Sequence, residues 1–209
     1  MNQDLGFVHR FEPGDDDLTL LLLHGTGADE NDLVPLGRVV APSAALLSPR
    51  GKVLENGMPR FFRRLAMGVF DEEDLKLRTH ELAAFVRAAA EAYGRDPQRI
   101  VALGYSNGAN IGGSLLLLEP GLLAGAALLH AMVPFRLQTL PDLTGTSVIV
   151  TGGHRDPMIP ADQTQELARM LTSAGAEVEL LLGPGGHELA PPEVEKVAEW
   201  LGAISPQPT

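Results

Sequence analysis

The stretch Ile100-Val101-Ala102-Leu103-Gly104-Tyr105-Ser106-Asn107-Gly108-Ala109-Asn110-Ile111 decides the fold. It opens as an apolar run of strand formers that stops at Gly104, and from Ile111 an apolar, helix-like segment follows. Strand, tight turn and helix in that order put Gly104-Tyr105-Ser106-Asn107-Gly108 on the turn, in the G-x-S-x-G pattern of a nucleophile elbow. A serine at so sharp a turn sits in a cramped backbone conformation. Neighbours without side chains relieve the crowding where strand and helix nearly touch. The hydroxyl then projects toward solvent beside the positive end of the helix dipole. With 23 glycines in the chain, five such residues also suit an ordinary turn, so the weight falls on what surrounds them.

Working outward, residues 18–23 are a continuous apolar run, a buried strand. The weakly alternating segment 7–11 and the turn Pro13-Gly14-Asp15-Asp16-Asp17 before it predict an edge hairpin with that strand. The Gly-rich turn His24-Gly25-Thr26-Gly27-Ala28-Asp29 comes next, then a short helix expected near Asn31 with Asp29 or Asn31 as cap. Residues 44–47 form another short strand. In 51–71, Gly57, Pro59 and Gly68 interrupt Met58, Phe61, Phe62 and Phe70 without a regular period. From Asp71, Leu75, Leu82, Phe85, Val86, Ala89 and Tyr93 recur at helical spacing up to the breaker Gly94. Beyond the elbow, strands at 124–129, 147–150 and 178–182 are joined by helices over about 161–174 and 192–201. This alternation predicts an α/β protein with a mostly parallel central sheet and helices on both faces. Ligands of such sheets gather at the carboxyl ends of the strands.

Composition narrows the field. A chain of 209 residues with 44% hydrophobic content suits one domain over 1–209. Its formal net charge of -11 argues against a nucleic-acid partner. No apolar stretch reaches the length of a membrane span, and Met1-Asn2-Gln3-Asp4 lacks the basic start of a secretory signal. With no cysteine there is neither a disulfide nor a thiol nucleophile, which fits a cytoplasmic location. The proline-containing tail 205–209 is expected to fray.

A serine hydroxyl needs a base to take its proton, and the base needs a third group to hold its tautomer. His187, in Gly185-Gly186-His187-Glu188, follows the last strand, and Asp156, in His154-Arg155-Asp156-Pro157, follows the one before it. Each alone has an ordinary explanation: a Gly-His loop is often structural, and an Asp before Pro is often a turn residue. Together, Ser106, Asp156 and His187 sit at successive strand ends in the serine–acid–histidine order of α/β-hydrolases. Oxyanion donors are expected from the backbone N–H groups of Thr26 and Asn107. His130, after the strand at 124–129, is read either as lining the pocket or as structural. His154 is expected to be solvated, and His24 to brace its own turn. Asp162 is the rival acid, though it falls in the first turn of a helix. The four histidines His24, His130, His154 and His187 show no metal-ligand spacing, so no metal is expected.

These motifs make the chain resemble the phospholipase/carboxylesterase branch of the α/β-hydrolase superfamily, which includes acyl-protein thioesterases. The matching pieces are Leu21-Leu22-Leu23-His24-Gly25-Thr26-Gly27-Ala28-Asp29, the elbow, Asp156-Pro157-Met158-Ile159-Pro160 and Gly186-His187. The run from Pro49-Arg50-Gly51 through Glu55-Asn56-Gly57-Met58-Pro59-Arg60-Phe61-Phe62-Arg63-Arg64 is similar to bacterial hydroquinone-linked carboxylesterases. The resemblance implies a minimal α/β-hydrolase fold and a serine esterase working through an acyl-enzyme on Ser106, without metal or organic cofactor. Asn107 stands where thioesterase relatives commonly have Gln, and Thr26 where they often have an apolar residue.

The expected partner is a small-molecule ester, and a homodimer is compatible with the sequence. Residues 51–71 are read as a pocket-covering segment, with Met58, Phe61 and Phe62 as apolar pocket surface. Arg60, Arg63 and Arg64 either meet a carboxylate or phosphate on the substrate or form a solvated face beside Glu72, Glu73 and Asp74. Without a long apolar insertion the pocket should take short acyl chains. The alternatives are a lysophospholipase or acyl-protein thioesterase, which need a long groove, and a non-catalytic binding protein of the same fold. A dienelactone hydrolase fits less well, since its relatives carry a cysteine nucleophile.

Overall fold

The computed structural model describes residues 5–204; the start at 1–4 and the tail at 205–209 lie outside them. In chain order the elements are β1 (His9–Glu12), β2 (Thr19–Leu23), α1 (Val34–Val40) and β3 (Ala45–Pro49). Four short strands follow: β4 (Val53–Glu55), β5 (Met58–Arg60), β6 (Arg64–Ala66) and β7 (Val69–Phe70). Then come α2 (Glu72–Ala92), β8 (Ile100–Tyr105), α3 (Asn107–Leu118), β9 (Gly125–Leu129) and β10 (Ser147–Gly153). The chain closes with α4 (Ala161–Ser173), β11 (Glu177–Gly183) and α5 (Pro191–Ile204).

The main sheet has the order β1-β3-β2-β8-β9-β10-β11 and is parallel apart from β1 against β3. Successive side chains of a strand leave opposite faces, so a strand buried on both sides feeds two cores. Leu21 and Leu23 join Leu82, Phe85, Ile111 and Leu167 on the face covered by α2, α3 and α4. Leu20 and Leu22 join Val34, Val197 and Trp200 on the face covered by α1 and α5. Each such leucine, fully buried, contributes about 1.5–3 kcal/mol relative to exposure.

Three expectations change. The segment at 7–11 does form an edge strand, but β1 pairs with β3, not β2. Both sides of β2 are taken by β3 and β8, and β1 is held by aromatic contacts with α2 and its C-cap: Phe11 stacks on Tyr93 at 3.9 Å and Phe7 meets Phe85 at 5.0 Å. The stretch 51–71 is more regular than its sequence suggests, because β4–β5 and β6–β7 are antiparallel ribbons. Asn56 and Gly57 turn the first with φ of 51° and 81°, the backbone that an Asn-Gly pair favours. The first short helix starts at Val34, after a turn in which Asp29 Oδ1 accepts from the Asn31 N–H.

The junction of β8 and α3 is the tightest packing that bears on function. Ser106 has φ 53°, in the left-handed region that β-carbon-bearing residues avoid. Its N–H donates to the Leu129 carbonyl at 2.9 Å. A Cβ on Gly108 would lie 1.9 Å from the Leu23 carbonyl oxygen, and one on Gly104 would lie 2.7 Å from the Gly108 carbonyl oxygen. Both obstacles are backbone and cannot rotate away. Gly108→Ala is therefore expected to cost more than the about 1–3 kcal/mol of ordinary overpacking. Gly202→Ala, with nothing within 4 Å of the added carbon, should be neutral or mildly stabilising. Thermal unfolding of the two variants checks this, and equal midpoints would contradict the close approach.

Candidate active site

Ser106, Asp156 and His187 stand at the ends of β8, β10 and β11, and the parallel sheet brings these ends side by side. Ser106 Oγ lies 2.9 Å from His187 Nε2, and His187 Nδ1 lies 2.6 Å from Asp156 Oδ2. With the Nδ1 proton donated to the carboxylate, Nε2 is the acceptor for the serine hydroxyl. Asp156 is buried, and its Oδ1 accepts from the N–H groups of Met158 at 2.8 Å and Ile159 at 2.9 Å. The Pro157-Met158-Ile159 turn thus fixes the carboxylate plane. Tyr105, the variable residue of the elbow before Ser106, donates to the His187 carbonyl at 2.6 Å. Burial, then the charge of Asp156, pushes its phenol up to about 12, so it remains a donor at neutral pH.

Ser106 opens into a shallow concavity, open to solvent, whose wall includes Thr26, Asn107, Met132 and Ile159. Neither the Thr26 nor the Asn107 N–H donates to any of the described residues, and Asn107 is the first residue of α3. Gly27, next to Thr26, donates instead to the Pro59 carbonyl at 2.9 Å, which fixes the turn. The expected apolar lining is corrected. Phe61 and Phe62 are buried in the core with α2, and Met58 is exposed beside Gly27, outside the concavity. Arg64, Met67 and Phe70, on and around the second ribbon, supply the wall instead.

The family described as Phospholipase/Carboxylesterase matches residues 13–205. The chain belongs to that family. The MhqD protein of Bacillus subtilis (strain 168) is 50% identical over 192 residues, covering 92% of this chain and 96% of that protein. A crystal structure of the Bacillus cereus carboxylesterase is 49% identical with a TM-score of 0.93, covering 95% of each chain. A structure of YahD with malic acid is 31% identical with a TM-score of 0.90, covering 95% of this chain and all of that one. The expected α/β-hydrolase architecture and family are thereby established.

Within this phospholipase/carboxylesterase family member, Asp156 serves a second imidazole. His130 does not line the concavity above Ser106. It is buried, its Nδ1 lies 2.9 Å from the same Oδ2 that holds His187, and its Nε2 lies 3.4 Å from Glu193 Oε2. Thr151 Oγ1 donates to the other oxygen of Glu193. One ligand-type atom each of His130, Asp156 and His187 falls within 4.8 Å of the others, a proximity accounted for by two rings sharing one acceptor. Burial lowers the affinity of His130 for a proton, but Glu193 and Asp156 outweigh it and hold the imidazole above its ordinary value. Burial raises Asp156 and Glu193, and the hydrogen bonds they accept outweigh that and hold both below the usual carboxylate range. The remaining candidates play local roles. His24 Nδ1 donates to the Gly25 carbonyl at 2.6 Å and its Nε2 accepts the Gly51 N–H at 3.0 Å. His154 is exposed, and Asp162, in the first turn of α4, accepts from the Gln163 N–H at 3.0 Å. Sequence reasoning missed Glu193, which sits in no motif, and Tyr105, which fills the variable position of the elbow; only the fold brings them beside Asp156 and His187.

A consequence for stability follows from His130. Its folded value lies above the unfolded one of about 6.5. Its ionic contribution is therefore complete below about pH 6.5 and is lost as pH rises through the folded value. His130→Asn keeps a residue tolerant of the left-handed φ of 53° while removing the charge. It is expected to destabilise by up to about 3–5 kcal/mol near pH 6, with the gap to wild type narrowing toward about pH 9. Urea unfolding at both pH values checks this, and a gap that widens with pH would contradict a cationic His130.

Proposed function

We propose that the protein is a serine carboxylesterase for small esters. The observation that carries this reading is the unbroken Ser106–His187–Asp156 hydrogen-bond chain beneath a concavity bordered by two unclaimed N–H groups. In the proposed reaction Ser106 Oγ attacks the ester carbonyl carbon while His187 Nε2 takes the hydroxyl proton. The N–H groups of Thr26 and Asn107, with the positive end of α3, stabilise the oxyanion. The carbonyl re-forms as the alcohol leaves with the proton from His187. Water then attacks the acyl-enzyme by the same route, giving the acid and free Ser106. Asp156 holds the imidazole tautomer and balances its cation.

The shallow concavity directly above Ser106 supports short acyl chains over the long groove of a lysophospholipase or acyl-protein thioesterase, although a second cavity adjoins it across Gly68, Phe70 and Met132. Malic acid, the compound named with YahD, is likewise small. Ribbons β4–β5 and β6–β7 fit the role of a pocket-covering segment, since Arg60, Arg64, Met67 and Phe70 reach the wall from them. A non-catalytic binding protein would have no need of a hydroxyl poised against an imidazole.

Ser106→Ala is expected to fold normally and lose p-nitrophenyl ester hydrolysis by at least about a thousandfold. It should also lose covalent labelling by a fluorophosphonate; activity within about tenfold of wild type would refute the nucleophile. Across acyl lengths, kcat/KM should fall from the butyryl to the dodecanoyl ester, and a steady rise would favour the lipid or thioester reading. Activity should also fall on acidification along one limb, and a flat rate from about pH 5 to pH 8 would argue against an imidazole base.

A further inference from the structure

The wall of the concavity above Ser106 carries two cations, Arg60 and Arg64, and no acidic side chain, in a protein whose formal net charge is -11. The three arginines of the run separate in space. Arg63 is exposed and pairs with Asp71 at 3.0 Å, away from the concavity. Arg60 and Arg64 share one counter-charge, Glu55. Arg64 Nε donates to Glu55 Oε1 at 2.9 Å, and Arg60 Nη1 lies 3.0 Å from Oε2, off the hydrogen-bonding direction. Two guanidinium groups on one carboxylate leave a single positive charge in excess.

The two differ in what they can still do. Arg60 is buried and committed: it donates to Thr26 Oγ1 at 2.9 Å and to the Phe62 carbonyl at 3.2 Å. It therefore buttresses the turn that presents the Thr26 N–H. Arg64 keeps 20% of its side chain exposed, and its Nη2 donates to none of the described residues. Burial, then the charge of Arg64, lowers the proton affinity of Arg60, as expected of like charges held together. An arriving anion relieves that repulsion in a wall that also carries the apolar side chains Met67, Phe70, Met132, Met158 and Ile159.

We infer, resting on the serine-esterase reading, that the substrate is a small ester bearing a carboxylate that Arg64 binds, with Arg60 beside it. A planar guanidinium fork matches a carboxylate, and one excess charge balances a monoanion better than a phosphate dianion. Arg64 is a specificity-determining residue; Arg60 positions Thr26 and adds field.

The test compares esters that differ only in charge. Monomethyl glutarate against methyl glutaramate places the charge on the acyl side, and 3-acetoxypropanoate against 3-acetoxypropanamide places it on the alcohol side. In at least one pair the anion should show a kcat/KM about tenfold or more above the amide. The preference should shrink between about 20 mM and about 500 mM salt. In Arg64→Met the ratio should fall below about threefold; because it is taken within one variant, general damage cancels. If that variant does not fold, the salt dependence in wild type decides, and a salt-independent ratio overturns the inference. Ratios near one for both pairs, with p-nitrophenyl acetate still hydrolysed and Ser106 still labelled by a fluorophosphonate, overturn it and leave the esterase intact. No turnover and no labelling would remove both.

Discussion

The backbone of α3 passes so close to the end of β2 that only a hydrogen fits on the Cα of Gly108, facing the Leu23 carbonyl oxygen. That clearance sets the geometry of the site. It forces the turn between β8 and α3 into a left-handed step at Ser106 and aims the hydroxyl off the rim of the sheet. It also leaves the N–H of Asn107, next in the chain to the hydroxyl, without a backbone acceptor among the described residues, in a wall it shares with Thr26. The strain at one serine is stored against two cores that share the leucines of β2, so it is held by the best-buried part of the molecule.

The sequence made the architecture legible because the inner parallel strands are apolar on both faces and stop at clear breakers. The Ser106, Asp156 and His187 positions were legible for the same reason: strand ends are visible as the points where apolar runs stop at Gly, His or Asp. What could not be read was which way side chains turn in 51–71. Phe61 and Phe62 look alike in sequence whether they line a pocket or fill a core. Their burial follows from the path of the chain between the two ribbons, with the Phe61 N–H tied to Asn107 Oδ1 at 2.8 Å. The Asn56-Gly57 pair was an available hairpin signal that the surrounding prolines and glycines obscured.

His130 shows a second limit. Its position after β9 marked it as a residue near the rim, yet its partner Glu193 lies on α5, 63 residues away along the chain. Only the fold brings an acid of the last helix behind the relay. The result is a layered arrangement of solvent-facing serine, half-buried imidazole, buried carboxylate, buried imidazole and buried carboxylate. Behind His187 the hydrogen bonds run from the Asp156 carboxylate through the His130 ring to the Glu193 carboxylate.

The carboxylate of Asp156 receives four donors, two backbone N–H groups on one oxygen and two ring nitrogens on the other. An amide of the same shape has no orientation that suits this cradle. With its NH₂ toward Met158 and Ile159 it opposes two peptide hydrogens, and turned the other way it forces both imidazoles to accept at Nδ1, moving their protons to Nε2. Asparagine at 156 would therefore disturb either the loop after β10 or both rings at once, so this position discriminates between isosteric side chains by hydrogen-bond polarity alone.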